Sequence, residues 1–443
     1  MIRWIPLILL IALLALAGCS PATDVGTTAV VPTDAETTAV AASVSTQPSV
    51  TSEPIPTTPA PTATAQVDEP TATPSPQPAT PTPSPTDAAP PEPATPQVEV
   101  VAAGLSIPWA VAFAPDGRIF ITERAGRLRV IENGELRAEP LAVVPVEAIG
   151  EGGLMGLALD PAFADNGRLY LMYTYSEGGQ IRNRVSRFTL TGAGLVDEVA
   201  LVDAIPGARF HNGGRLAIGP DGKLYAGTGD ALVPQLAQDL DSLAGKILRI
   251  NLDGSIPEDN PFPGSPVYSL GHRNPQGLAF QPETGVLFAV EHGPSGEFGL
   301  CCRDELNRIV PGGNYGWPYV SGTDVVDAAQ AAAHDLVAPV SSSGRDTWAP
   351  AGLAFYDGGP LADWQGDLFF GALRGQHLRR VVLSGDDLGQ LDQDEALYSG
   401  AYGRIREALM GPDGYLYLTT SNRDGRGNPA ADDDRLLRIG VGE

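Results

Sequence analysis

Cysteine is scarce in this chain: Cys19, Cys301 and Cys302 are the only three in 443 residues. A disulfide framework is thereby excluded, and a fold of this length must be held by a packed core, with room for one bridge at most. Basic charge is scarce as well. Arg3 is the only base before residue 98, and from there to the end 27 bases face 45 acids. Without a basic footprint to neutralise phosphates, nucleic-acid binding is not the function. The apolar run from Ile5 to Ala17 is too short to favour a permanent membrane span. No Gly-x-Gly-x-x-Gly opens a helix after a strand, so the dinucleotide fingerprint is missing, and no Cys-x-x-Cys-His offers a haem attachment point.

What is present falls into three regions. In residues 1–19 the apolar run closes on Leu16-Ala17-Gly18-Cys19, the pattern of a bacterial lipobox. It implies cleavage before Cys19 and lipidation of its thiol, hence an exported protein held at the periplasmic or extracellular face of the cell envelope by a lipid anchor only. An ordinary cleaved signal with an incidental cysteine is the alternative. Residues 20–97 are Pro, Thr, Ala and Ser with almost no large apolar side chain, as in PTATPSPQPATPTPSPTDAAPPEP. Such a segment buries too little surface to offset its ordering entropy, so it is expected to be a disordered linker, bare or carrying O-linked sugars. Residues 98–443 read as one large domain.

That domain repeats a hairpin six times: AVAFAPDGRIFITE, GLALDPAFADNGRLYLMYT, RLAIGPDGKLYAGTGD, GLAFQPETGVLFAVEHG, GLAFYDGGPLADWQGDLFFGAL and ALMGPDGYLYLTT. Each alternates apolar residues about a turn supplied by Gly, Asp or Asn. Further strand candidates such as RLRVIENG, NRVSRFTL, GKILRINLDG, LRRVVLSG and DRLLRIG fall where outer strands belong. The expected fold is all-β, a six-bladed β-propeller of four-stranded antiparallel blades; a β-sandwich is the alternative. Just before the first strand of successive hairpins stand Trp109, Glu151, His211 with Asn212, His272 with Arg273 and Asn274, Trp348, and Arg404 with Arg406. Radial repetition sends equivalent positions to one end of the central channel, so these are expected to build a polar mouth with aromatic walls.

The segments GLSIPWAVAFAPDGRIFITERAGRLRVI, GEGGLMGLALDPAF, HNGGRLAIGPDGKLYAGTGD, GHRNPQGLAF, EHGP followed by DELN, GGNYGWP and GRIRE resemble the glucose/sorbosone dehydrogenase family over nearly all of 98–443. The resemblance implies an oxidoreductase that uses the quinone cofactor PQQ and Ca2+ to oxidise aldose sugars at C1 to lactones, by hydride transfer to the quinone. The electrons then pass to an external acceptor, a quinone or a cytochrome. His211 matches the base that takes the C1 hydroxyl proton, a task suited to an imidazole. Arg273 matches the arginine set against the reactive carbonyl, where negative charge develops. Glu151, Asn274, Asp304, Arg374, Arg404 and Arg406 are carried over as cofactor contacts, the arginines as forks for PQQ carboxylates. Gly293 and Pro294 match carbonyl donors to one calcium, and Glu305 and Tyr315 match a second site.

Two features depart from the family. Glu151 stands where many relatives have Gln, adding charge beside an anionic cofactor. The stretch Ser295 to Arg303, SGEFGLCCR, is longer than usual and brings Cys301 and Cys302 near the cofactor. That pair is either reduced, metal-bound, or closed into an eight-membered disulfide ring, like the one lying against PQQ in unrelated quinoprotein methanol dehydrogenases. Two other functions remain in view: a calcium-dependent, lactonase-like propeller hydrolase, and a non-catalytic surface lipoprotein that binds glycans.

Overall fold

The hairpins are set by their turns. In three of them the turn aspartate, Asp116, Asp221 or Asp413, accepts the backbone N–H two residues on, at 3.1, 3.1 and 3.3 Å. The glycine that follows it has φ of 87°, 69° and 78°, a region open to a residue without Cβ. Tyr225 and Tyr417, on the second strands, donate back to Asp221 and Asp413 at 3.0 and 2.8 Å.

The computed structural model describes residues 95–385 and 387–442. The expectations for the signal segment, for Cys19 and for the linker up to residue 94 lie outside the described residues. Among the described residues six antiparallel sheets form the blades in order, with a separate two-stranded hairpin of Val320–Ser321 and Asp324–Val325. Leu154–Leu159 begins the second blade, Leu216–Ile218 the third, Pro275–Phe280 the fourth, Pro350–Phe355 the fifth and Ile405–Met410 the sixth. The first blade, from Pro108–Phe113, carries a fifth strand because Glu135–Leu136 and Ala142–Val143 both pair with Arg127–Glu132. Glu305–Ile309, read in the sequence only as part of a motif, is the third strand of the fourth blade. The last blade is completed from the other end of the domain: Pro96–Ala102 pairs antiparallel with Leu436–Val441. This strand starts two residues inside the segment read as linker, and it ties the ring shut without leaving that edge unpaired.

Each hairpin opens on small residues because the innermost strands crowd the axis. A Cβ added at Gly156 would lie 2.2 Å from the Gly214 carbonyl oxygen, and one at Gly277 would lie 2.1 Å from that of Ala351. The apolar side chains of the second and third strands fill the space between blades. Phe120, Tyr170, Phe288, Phe369 and Phe370 are fully buried there, each contributing about 2 kcal/mol by removal from water. Among the described residues no helix is long and apolar enough to cross a membrane.

Candidate active site

The loop entering the third blade turns sharply at His211, whose φ is 59°, and continues through Gly213 at 65°. A Cβ on Gly213 would meet the Gly227 carbonyl oxygen at 2.4 Å, so only glycine lets the chain run this close to the blade. The turn holds the His211 ring in place. Its Nδ1 lies 2.8 Å from Asp230 Oδ1, and the other oxygen of this buried carboxylate accepts the indole N–H of Trp317 at 2.8 Å. Among the described residues Nε2 of His211 has no partner. The carboxylate therefore selects the tautomer with the proton on Nδ1 and leaves Nε2 as the basic nitrogen.

Arg273 comes from the next entry loop and lies over the Trp317 ring at 5.4 Å. Its Nη1 donates to the His292 carbonyl at 3.1 Å, its Nη2 is bonded to Glu297, and its Nε is buried without a partner. A buried guanidinium with a donor to spare is suited to a group that develops negative charge. Asn274 is fully buried; its side-chain oxygen accepts the Gly213 N–H at 2.9 Å, which couples the two entry loops. His292 donates Nε2–H to the Pro350 carbonyl at 2.9 Å, and burial pushes its imidazole down to about 3, so it stays neutral.

Across the mouth, Arg124, Arg404, Arg406 and Arg426 face two carboxylates among the described residues, Asp424 and Glu151. Arg404 is committed: it bonds Asp424 at 2.8 Å and the Leu373 carbonyl at 3.0 Å. Arg406 is not. It has long contacts to Ser421 at 3.4 Å and Gln276 at 3.3 Å, reaches Asp424 only at 4.0 Å, lies over the Trp109 ring at 5.7 Å, and burial pushes it down to about 10. An under-paired buried arginine next to Arg124 fits an anion with several carboxylates, as PQQ is. Glu151 meets the charge problem raised by its sequence. Burial opposes its ionisation, but the Arg426 guanidinium bonded to it at 2.8 Å holds its carboxyl below the usual carboxylate range and balances its negative charge.

Oxygen donors for a cation are present in two places. The carbonyls of Gly293 and Pro294 accept no hydrogen bond among the described residues. Nearby, a cavity of about 10 Å³ is lined by Arg273, Glu291, His292, Gly293 and Glu305 among others. Burial, followed by the charge of Glu291, pushes the Glu305 carboxyl up to about 8, and Oδ1 of Asn307 is buried without a partner. Unrelieved oxygens of this kind suit a hard cation. Among the described residues no three His, Cys, Asp or Glu side chains form a metal cluster, so such an ion would depend on carbonyl and amide oxygens.

Several expected site residues stand elsewhere. His272 is fully buried, with Nδ1 2.9 Å from Glu291, Nε2 2.8 Å from Ser269 and its ring stacked on Tyr315. It supports the mouth from behind. Trp348 is no wall of the mouth either; its ring packs on Phe370 in the core. The carboxylate of Asp304 accepts the N–H groups of Gly293, Trp348 and Ala349 at 2.7–2.9 Å and so clamps two loops together. The Tyr315 hydroxyl is occupied by the Arg308 carbonyl and the Val310 N–H, leaving only its backbone oxygen for a cation. Arg374 is exposed. Cys301 and Cys302 are joined as a disulfide, yet what this insertion brings onto Arg273 is Glu297 rather than the ring. Sequence reasoning missed Asp230, Trp317, Arg124, Arg426 and His292. The first, second and last sit inside the motifs GTGD, GGNYGWP and EHGP, where their presence was a signal.

A family model described as glucose/sorbosone dehydrogenase matches residues 105–438. The aldose sugar dehydrogenase YliI of Escherichia coli is 35% identical over 351 residues, covering 75% of this chain and 92% of that protein. A solved structure of a putative oxidoreductase (glucose dehydrogenase) from Thermus thermophilus superposes with TM-score 0.70 at 46% identity, covering 78% of this chain and all of the other. The PQQ-bound aldose sugar dehydrogenase of Streptomyces coelicolor gives TM-score 0.68 at 37% identity, over 79% of this chain and 99% of that one.

Proposed function

Because this chain belongs to the glucose/sorbosone dehydrogenase family, we propose that it oxidises aldoses at C1 to lactones with PQQ and calcium, and hands the electrons to an external quinone or cytochrome. The observation that carries this reading is His211, held at Nδ1 by Asp230 with Nε2 left open. Nε2 takes the proton of the C1 hydroxyl, and Asp230 stabilises the imidazolium that forms. Bound PQQ supplies the quinone that accepts the hydride. Arg273 places its guanidinium where negative charge then gathers. Arg406 and Arg124 hold cofactor carboxylates, Arg404 is held in line by Asp424, and the Gly293 and Pro294 carbonyls, with the oxygens around Glu305, hold calcium. The export signal, the lipid anchor at Cys19 and the spacer up to the strand at Pro96 complete the proposal: an enzyme tethered to the envelope that acts on sugars outside the cytoplasm.

The test is reconstitution of the full chain with PQQ and Ca2+, followed by an aldose panel with an artificial dye acceptor. Turnover that requires both additions is expected. Failure to bind PQQ, together with hydrolysis of sugar lactones, would overturn the proposal in favour of a hydrolase.

A further inference from the structure

The insertion Ser295 to Cys302 forms a small hairpin, closed by a bridge between Ser295 and Cys301 and by Gly296 N–H donating to the Leu300 carbonyl at 2.9 Å. Its tip is anchored onto the site. Glu297 bonds Arg273 and also accepts the Ser295 N–H. The next residue, Phe298, takes φ of 56°; it is 52% exposed, and its ring meets that of Trp317 edge-on with centroids 5.7 Å apart. A large apolar ring held in the left-handed region and turned to solvent gains nothing from core packing. Its surroundings locate it: Trp317 lies under Arg273 and bonds Asp230, which holds His211. Side-chain exposure rises from 3% at Arg273 to 32% at Glu297, and Phe298 stands beyond both. Leu232 and Val233, two and three residues past Asp230, are likewise apolar and exposed, at 47% and 46%.

Resting on the dehydrogenase reading above, we propose that Phe298 is a specificity-determining residue: an aromatic platform for the second ring of a reducing disaccharide whose first ring is oxidised beside His211. The depth gradient carries the argument. A sugar ring at the level of Arg273 places a linked ring at the level of Phe298, and the C–H face of a pyranose packs on an aromatic ring as an apolar surface does. Glu297 is the positioning residue, since its bond to Arg273 sets where the platform stands.

The experiment compares full-chain wild type, Phe298→Ala and Phe298→Tyr, each loaded with PQQ and Ca2+, on glucose and on maltose and cellobiose. Phe298→Ala is expected to raise KM for the disaccharides about tenfold through loss of the aromatic surface. KM for glucose and kcat should stay within about twofold, and Phe298→Tyr should restore the wild-type values. Disaccharide binding is also read calorimetrically, so that a chain with no turnover still reports on the platform: weaker binding in Phe298→Ala supports it even if the dehydrogenase reading fails. Equal disaccharide affinity in wild type and Phe298→Ala overturns it, as does an absence of binding to either. Slower turnover with a benzoquinone acceptor at unchanged sugar KM overturns it too, in favour of an acceptor-docking rim.

Discussion

The third and fourth blades each hold a histidine bonded through Nδ1 to a carboxylate nineteen residues later: His211 to Asp230 at 2.8 Å, and His272 to Glu291 at 2.9 Å. The two pairs occupy corresponding places in the repeat and differ at one atom. Nε2 of His272 is bonded to Ser269 and its ring is stacked on Tyr315, whereas Nε2 of His211 has no partner among the described residues and stands at the mouth. A satisfied imidazole is a brace; one with an open nitrogen is a base. Shared spacing therefore does not mean shared work, and the second nitrogen decides.

The largest expected effect breaks this symmetry directly. His211→Gln should lower kcat by at least about a hundredfold, the usual consequence of losing a general base, while PQQ titration shows affinity unchanged. His272→Gln should leave kcat within a few-fold and instead lower stability in denaturant by about 1–3 kcal/mol, because buried partners lose their bonds. Matching kcat losses in both variants would erase the distinction. Next comes the acid of each pair. Asp230→Asn should cut kcat by roughly tenfold to a hundredfold through loss of the tautomer and of imidazolium stabilisation, whereas Glu291→Gln should act on stability and on the calcium requirement, read in a calcium titration, with kcat at saturating calcium within a few-fold.

The same contrast between open and committed groups separates the two arginines of the sixth blade. Arg406→Ala should weaken PQQ binding about tenfold, as expected for one charge-assisted contact. Arg404→Ala strands the buried Asp424, so its main effect should be a stability loss of about 3 kcal/mol in a melting experiment. The smallest effect is expected at Glu151→Gln. It removes one negative charge from the mouth and releases Arg426, and should tighten PQQ by about threefold in the same titration; weaker binding would mean that the Glu151–Arg426 pair has a positive role in holding the cofactor.

The hairpins were legible in the sequence because their causes are local. An Asp-Gly turn and a period of two lie within about fifteen residues, and Asp116, Asp221 and Asp413 act on backbone two residues away. His211 and Arg273 were legible for a different reason, the order of their motifs along one chain. Their surroundings were not. The partner that fixes Asp230 is Trp317, 87 residues on, and the partner that neutralises Glu151 is Arg426, 275 residues on. Nothing in local composition ties such residues together, and the same blindness put His272 and Trp348 at the mouth, since repeat position gives the end of the channel but not the direction of a side chain.

By itself, then, the sequence determined six hairpins, a ring of them, and a set of polar residues at one end of the ring, because turns, alternation and repetition act over short separations. Only the tertiary structure decided which histidine keeps an open nitrogen, which arginine reaches its anion only at 4.0 Å and which insertion residue stands at the rim. Those outcomes depend on the direction each side chain takes and on partners as distant as Glu151 and Arg426, which meet when Pro96–Ala102 pairs with Leu436–Val441 and closes the propeller.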